Sequence, residues 1–243
     1  MRYKGKTIVV TGASKGIGGA IVKKCAKLGA NVVAIYKTDD RAAESLKDEI
    51  KQNLLLIKAD VSKEESVKKA FDQAVKRFGN IDVLINNAGI DNPKPLWEYE
   101  LSEWNDILSV NLTSVFLCTK YGIPYLEKCK GAIINISSRV GLRDIYIPKA
   151  IPYSVSKAGV TKFTENASKE LASKHIRVNA VIPTVTRSGM LKFFSKEDIE
   201  HLEAESRLGS PEEVADMVIE LIDDPSATGK ILIDKRVKLP QNP

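Results

Sequence analysis

Tyr153 and Lys157 are the pair in this chain best suited to proton chemistry. They stand four residues apart in Tyr153-Ser-Val-Ser-Lys157, inside a stretch with a helical pattern. Four residues make about one helical turn, so phenol and ammonium share a face about 6 Å apart along the axis. A free tyrosine has a pKa of about 10, too high to cycle a proton near neutrality. An ammonium beside it favours the phenolate and lowers that value. The two together form a tunable general acid/base. In isolation the plainer reading, an exposed Tyr–Lys pair without a role, is the stronger one. Other polar residues change the balance. Ser138 closes Ile134-Asn135-Ile136-Ser137-Ser138 and could orient a carbonyl or hydroxyl against Tyr153. Asn111 is polar among apolar neighbours in Val110-Asn111-Leu112, and a buried amide needs partners. It either binds a water that passes protons to Lys157 or satisfies a bent helix backbone.

These residues require a scaffold of alternating strands and helices. Apolar runs predict strands at Thr7–Thr11, Val32–Tyr36, Leu54–Lys58, Val83–Asn86, Ala132–Ser137, Arg177–Ile182 and Lys230–Asp234. Between them, helical periodicity covers Ile17–Leu28, Asp40–Lys51, Lys63–Phe78, Ser102–Lys128, Tyr153–Lys174 and Pro211–Ile222. Ser62 with Glu65 reads as a capping box, and Ser210 before Pro211-Glu212-Glu213 as a helix start. The alternation implies an α/β fold, a doubly wound parallel seven-stranded sheet of Rossmann type with helices on both faces. Residues 1–243 read as one domain, with an insertion at about 184–208 beyond the carboxyl ends of the strands, where such folds bind ligands.

Thr11-Gly12-Ala13-Ser14-Lys15-Gly16-Ile17-Gly18 joins the first strand to the first helix. Such a turn converges backbone N–H groups on a phosphate at a positive helix end. Gly12, Ser14, Lys15, Gly16, Ile17 and Gly18 are its candidate contacts. Gly12 suits a tight turn, Gly16 a close backbone approach, and Gly18 the packing of helix on strand. Dinucleotide binding predicts an acid at the end of the second strand, for a ribose 2′-hydroxyl. Tyr36 and Lys37 stand there instead. Lys15 and Lys37 attract a 2′-phosphate and favour NADP over NAD; in the alternative, both are surface lysines and Asp39 reaches back to the ribose. Asp60 and Val61 end the third strand, where a carboxylate could take the adenine amino group or merely start a turn. Asn86-Asn87-Ala88-Gly89 ends the fourth, where Asn87, Ala88 and Gly89 suit a ribose or form a plain turn.

Composition narrows the remaining choices. The 243 residues are 43% hydrophobic and carry a modest net charge of +6. No basic–aromatic interleaving suggests nucleic acid. No apolar run is long enough to span a membrane, and no leader pattern precedes the first strand. Cys25, Cys118 and Cys129 show no metal-type or paired spacing, so a reducing cytoplasmic setting is the expectation, with Cys25 and Cys118 as core residues. Two histidines, His175 and His201, supply His-based metal sites poorly. No metal, nucleic-acid or membrane partner is expected.

In order and context these motifs resemble the short-chain dehydrogenases/reductases in their compact form. Thr11-Gly12-x-x-x-Gly16-x-Gly18 is similar to that family's cofactor turn, and Asn86-Asn87-Ala88-Gly89 to its fourth-strand motif. Asn111, Ser138, Tyr153 and Lys157 match its catalytic tetrad, and Arg177-Val178-Asn179-Ala180-Val181 its sixth strand. The resemblance runs from about Lys6 to Gly229. It implies hydride transfer between NAD(P)H and a carbonyl/alcohol pair. Tyr153 would protonate the oxygen and Ser138 position it. Lys157 would lower the Tyr153 pKa and hold the nicotinamide ribose, and Asn111 would complete a proton relay. It further implies cofactor contacts from Pro183, Thr186 and Ser188, and a homotetramer or homodimer. Thr184 departs from the family, which has glycine after Pro183, and implies a rearranged loop. Asp234-Lys235-Arg236 replaces its Asp-Gly-Gly. The stretch Asp144-Ile145-Tyr146-Ile147-Pro148-Lys149 is slightly longer than usual and stands where the substrate mouth would be shaped. The function expected is an NADPH-preferring reductase of a small-molecule carbonyl, 3-oxoacyl or general ketone. Leu142, Tyr146, Ile147, Leu191, Phe193 and Phe194 would form an apolar wall, unless they are core or subunit packing. Alternatives are a sugar/polyol dehydrogenase of the same family, or a nucleotide-sensing homologue without catalysis.

Overall fold

The computed structural model describes residues 1–51, 53–143 and 145–238. In chain order the strands and helices are β1 (Thr7–Thr11), α1 (Gly16–Lys27), β2 (Asn31–Tyr36), α2 (Asp40–Glu49), β3 (Leu54–Lys58), α3 (Glu64–Phe78), β4 (Val83–Asn86), α4 (Leu101–Leu108), α5 (Ser114–Cys129), β5 (Ala132–Ile136), α6 (Ile151–Glu170), β6 (Arg177–Ile182), β7 (Val185–Thr186), α7 (Lys196–Ala204), β8 (Leu208–Gly209), α8 (Pro211–Asp223) and β9 (Ile231–Ile233).

Seven strands form one parallel sheet in the order β3-β2-β1-β4-β5-β6-β9. Parallel strands covered on both faces must be apolar throughout, which explains the unbroken runs read from the sequence. Successive side chains alternate between the faces. Ile8 and Val10 join Ile21, Val218 and Leu221 in one core. Val9 and Val33 join Phe71, Leu117 and Cys118 in the other. Cys25 and Cys118 are buried core residues, as expected. The chain leaves β3 at one edge and resumes at β4, beside β1. The crevice at the carboxyl ends of β1 and β4 is therefore the topological switch point, where doubly wound sheets take ligands.

Three local expectations are corrected, and the insertion gains detail. The helix expected over Ser102–Lys128 starts at Leu101 and is interrupted by a wide π-type turn, Ser109–Thr113, with Asn111 buried at its centre. Ser62 does not cap α3. Its N–H and hydroxyl both donate to Asp60 Oδ1, at 3.0 and 2.7 Å, because a charged acceptor two residues upstream competes with the helix end. The helix of Tyr153 starts at Ile151, with Pro152 in its first turn, and gives way to a 3-10 turn over Leu171–Lys174. The 184–208 insertion is ordered: β7 pairs with β8, a 3-10 turn spans Gly189–Phe193, and α7 is capped by Ser195 and Asp198. Two-residue strands carry no periodicity, so β7 and β8 are invisible to pattern reading.

Ser210 caps α8 as expected, accepting from the N–H of Glu213 while the Glu213 carboxylate accepts from the N–H of Ser210 at 2.7 Å. After β9, Arg236 grips Asp234 with two bonds, at 2.9 and 2.7 Å, and reaches Glu213 at 3.0 Å. The charged residues that stand in place of Asp-Gly-Gly thus tie the C-terminal segment to the base of α8.

Candidate active site

The glycine turn has the shape its residue types require. Gly12 and Gly16 take positive φ, +61° and +57°, where a side chain is strained. A Cβ on Gly18 would lie 2.2 Å from the Gly12 carbonyl oxygen, so this glycine sets the seating of α1 on β1. Lys15 stands at the N-cap of α1, no side chain caps that end, and its first turn contains no acid. Uncapped N–H groups at a helix start suit an anion, and the turn fits the diphosphate of a dinucleotide.

Asn86 and Asn87 are committed to the scaffold. Asn87 donates to the carbonyls of Thr11 and Gly12 at 2.9 and 3.0 Å. Thr11 Oγ1 accepts the N–H groups of Asn87 and Ala88, both at 3.0 Å. Asn86 donates to Asn135, which donates to Thr164 of α6, at 2.9 and 2.8 Å. The fourth strand's end is thereby clamped to the glycine turn and to the helix of Tyr153. Gly89 comes close to two other site residues: a Cβ there would lie 3.5 Å from Asn111 Oδ1 and 3.6 Å from Lys157 Nζ.

At the far end of the crevice, Lys37 pairs with Asp60 at 2.8 Å and Lys15 with Asp39 at 2.7 Å. Asp39 also caps α2 through the N–H of Ala42. Burial and the neighbouring Asp40 raise the pKa of the Tyr36 phenol. The Asp60 carboxylate is held by Ser62 and Lys37, and the Val61 side chain lies in the core with Ile57 and Val67.

The proton-handling end lies where β5, α6 and the turn after β4 meet. A 3-10 turn, Arg139–Gly141, follows Ser138 and presses on α6. A Cβ on Gly141 would lie 2.5 Å from the carbonyl carbon of Lys157. Ser138 lies beside Tyr153 and acts on its phenol as a polar neighbour that lowers its pKa, while its own hydroxyl oxygen accepts the N–H of Val140 at 3.5 Å. Lys157 is buried; its ammonium donates to the carbonyl of Ile136 at 2.8 Å and lies 5.7 Å from the centre of the Tyr153 ring. Burial lowers its pKa to about 8. Tyr153 departs from expectation. Burial pushes its pKa up to about 12, against the lowering effect of Ser138, and the charge of Asp91 adds to the rise. Lys157 does not reverse this, because its ammonium is turned to the Ile136 carbonyl and is itself desolvated.

Asn111 does not satisfy the backbone of its own helix but bonds the loop after Gly89. Its Oδ1 accepts the N–H of Ile90 at 2.8 Å, and its Nδ2 donates to the carbonyl of Ile90 at 2.9 Å and to Ser156 at 3.1 Å. Its amide hydrogens are thus spent on the loop after Gly89 and on α6. Thr184 needs no positive φ and donates to the carbonyl of Arg207 at 2.8 Å, tying the start of the insertion to its end. Thr186 is buried and donates to the carbonyl of Thr184 at 2.9 Å; Pro183 is also buried. Ser188 arrives over the glycine turn, its Cβ 3.5 Å from where a Gly16 Cβ would stand. Among the candidate wall residues, Tyr146 and Phe193 are exposed, while Leu142, Ile147, Leu191 and Phe194 are partly buried.

Comparison with known proteins agrees with this geometry. The short chain dehydrogenase family model matches residues 6–199. The chain belongs to the short-chain dehydrogenases. It is a nicotinamide-dependent oxidoreductase. A 3-oxoacyl-[acyl-carrier-protein] reductase from Synechocystis is 39% identical over 223 residues, 90% of each chain. Glucose 1-dehydrogenase 2 from Bacillus subtilis is 37% identical over 221 residues, 87% of this chain and 85% of that one. A Burkholderia cenocepacia short chain dehydrogenase in complex with NADP superposes with a TM-score of 0.89 at 27% identity, covering 96% of this chain and 97% of that one.

Two charged residues of this dehydrogenase stand at the site without having been singled out from the sequence. Asp91 follows the Ile90 that Asn111 grips, and burial raises its pKa to about 6. The loop bearing it is pinned by Tyr99, whose hydroxyl donates to the carbonyl of Asn92 at 2.7 Å. Arg139 directly follows Ser138. An acid after Asn-Asn-Ala-Gly-Ile and a base after Ser-Ser were the available signals. Among the described residues, no cluster of His, Cys, Asp and Glu could hold a metal, and no helix is long and apolar enough to cross a membrane.

The buried ammonium of Lys157 carries an expected outcome. Its folded pKa, about 8, lies below the ordinary 10.5, so its burden is full below pH 8 and is relieved as pH rises toward 10.5. Lys157→Met should raise stability at pH 7 by about 1–4 kcal/mol, several degrees in Tm. The gain over the parent should shrink across that alkaline window. Thermal unfolding at pH 7 and pH 10 checks it; a lowered Tm at pH 7 would refute the account of the ammonium.

Proposed function

We propose that this dehydrogenase is an NADPH-preferring reductase of a small-molecule carbonyl, with Tyr153 as its proton donor. The observation that carries the reading is the convergence of Ser138 and Tyr153 beside buried Lys157, whose ammonium lies 5.7 Å from the Tyr153 ring centre, at the carboxyl end of β5. Bound NADPH supplies the hydride. Ser138 holds the carbonyl oxygen, and the Tyr153 phenol delivers its proton as charge develops there. A phenol kept protonated by burial suits an acid in the reductive direction. Lys157 has donors beyond its one bond to Ile136 with which to hold the nicotinamide ribose. Asn111 acts as a positioning residue, fixing the Ile90–Asp91 backbone and Ser156.

Gly12, Ser14, Lys15, Gly16, Ile17 and Gly18 would cradle the diphosphate. Asp60 and Val61 would face the adenine, and Asn87, Ala88 and Gly89 a ribose. Pro183, Thr186 and Ser188, on the lid of residues 184–208, would meet the nicotinamide side. Lys15 and Lys37, with Tyr36, would take the 2′-phosphate. Their partners Asp39 and Asp60 are exchangeable, since exposed ion pairs contribute only about 0–1 kcal/mol. The NADP complex of the Burkholderia relative supports this choice. The reductases among the relatives support a carbonyl substrate, and the glucose dehydrogenase keeps a sugar as the second reading. The buried thiols of Cys25 and Cys118 favour a reducing cytoplasm. Exposed Phe116 on α5 and Val155 on α6 suit a homotetramer or homodimer.

Oxidation of NADPH with a panel of ketones, oxoacyl thioesters and sugars tests the reading; binding without turnover of any of them would refute it. Tyr153→Phe should keep NADPH affinity and lose about 10²–10⁴-fold in kcat. Full activity in that variant would remove Tyr153 from its role. Lys37→Asp should lower the NADPH-to-NADH ratio of kcat/KM, and an unchanged ratio would end the 2′-phosphate assignment. Asp91 raises the Tyr153 pKa, so Asp91→Asn should lower it. Alcohol oxidation, which needs the phenolate, should then reach half its plateau at lower pH in the variant, as read from a kcat/KM–pH profile.

A further inference from the structure

Arg139 occupies an unusual position for a cation. Ser138 is extended, with φ −159° and ψ 152°, and leads straight into the 3-10 turn that Arg139 begins. The two Cα atoms are one peptide apart, about 3.8 Å. The next residues of the turn are fixed by the contact of Gly141 with the backbone of α6. Arg139 is therefore anchored next to Ser138, the residue whose hydroxyl bears on Tyr153, on a short and well-braced segment.

Its side chain is partly buried, and no hydrogen bond or ion pair to its guanidinium is found among the described residues. Other arginines of this region are matched. Arg187 pairs with Glu203 at 2.7 Å, Arg207 with Glu205 at 2.9 Å, and Arg236 with Asp234 and Glu213. The charge that bears on Arg139 is another cation, Arg207, at the far end of the lid segment. Together with burial, that neighbour lowers its pKa. A desolvated cation without an acceptor is costly, and a guanidinium has the planar fork that fits a carboxylate.

The site also carries the reverse charge. Asp91 acts on Tyr153 and on Tyr99 as a negative neighbour. An anionic substrate is repelled there and attracted at Arg139. The electrostatics thus give one orientation, with the carbonyl oxygen at Ser138 and Tyr153 and the anion toward Arg139. The reach of an arginine beside Ser138 requires the anion to lie a few bonds from the reacting carbon.

We propose that Arg139 is a specificity-determining residue that recognises the carboxylate of a short-chain oxo acid. This rests on the carbonyl-reductase reading above and names its substrate class. The reaction would convert the oxo acid, NADPH and a proton to the hydroxy acid and NADP. The carboxylate takes no part in bond making and serves only to hold the substrate.

The test uses matched pairs that differ only in charge: acetoacetate against methyl acetoacetate, and 4-oxopentanoate against its methyl ester. The parent enzyme should favour the acid over the ester by about tenfold or more in kcat/KM, as expected for a charge-assisted hydrogen bond. In Arg139→Met that ratio should fall to about one, mostly through the KM of the acid, and Arg139→Lys should restore part of it. Calorimetric titration of 4-oxopentanoate into the protein with NADP should give binding that weakens about tenfold or more in Arg139→Met. Parent enzyme without preference for the acids, or a preference that survives Arg139→Met, overturns the proposal while leaving carbonyl reduction intact. Absence of turnover with every carbonyl overturns the reductase reading instead, and the titration then decides whether Arg139 binds the carboxylate. Equal binding by parent and variant rejects it.

Discussion

Lys157 brings an ammonium into a place where the described residues offer it one oxygen, the carbonyl of Ile136. Desolvating such an ion costs several kcal/mol, and a single neutral acceptor offsets only part of that. Much of the surrounding architecture holds this arrangement in register. Ser137 donates to the carbonyl of Lys157 at 3.0 Å, Asn135 reaches Thr164, and Gly141 leaves room for the turn to lie on the backbone of α6. The strand that ends in Ile136 and the helix that carries Tyr153 are thus joined several times within two turns. A cation held under strain by a rigid frame is ready for a ligand hydroxyl without having to reorganise.

The same economy appears in what the polar residues of the crevice do. Asn86 and Asn87 spend their amides on the scaffold, and Thr11 spends its hydroxyl on two N–H groups of the turn after β4. The first turn of α1 and the ammonium of Lys157 are left with donors to spare. A site for a long anionic cofactor is made here by leaving particular donors unspent while the amide donors of Asn86 and Asn87 are tied to the scaffold.

The sequence made the fold legible because buried parallel strands must be continuously apolar, and it made the Tyr153–Lys157 pair legible because helical spacing is rigid. Gly12 and Gly18 were readable for a related reason, since only glycine meets their φ or their contact distance. What stayed hidden depends on choices among near-equal partners. Lys15 and Lys37 look like free cations in one dimension, and their pairing with Asp39 and Asp60 depends on how β2 and β3 end side by side. The rise rather than fall of the Tyr153 pKa depends on burial and on Asp91, which spacing along α6 does not report. Thr184 looked like a constraint and proved a tie, because its hydroxyl found the carbonyl of Arg207 at a distance of 23 residues.

The wide turn at Ser109–Thr113 bears on chain length. It accommodates a residue more than a regular helix would over the same rise, and its result is the aim of one amide at both backbone groups of Ile90. Each residue of a regular helix turns about 100° about the axis. A chain one residue shorter here could wind as an unbroken helix, but α4 and α5 would then be out of phase and the amide would face elsewhere. In this segment the number of residues is as much a part of the site as their identity, and a deletion is a graver change than a substitution.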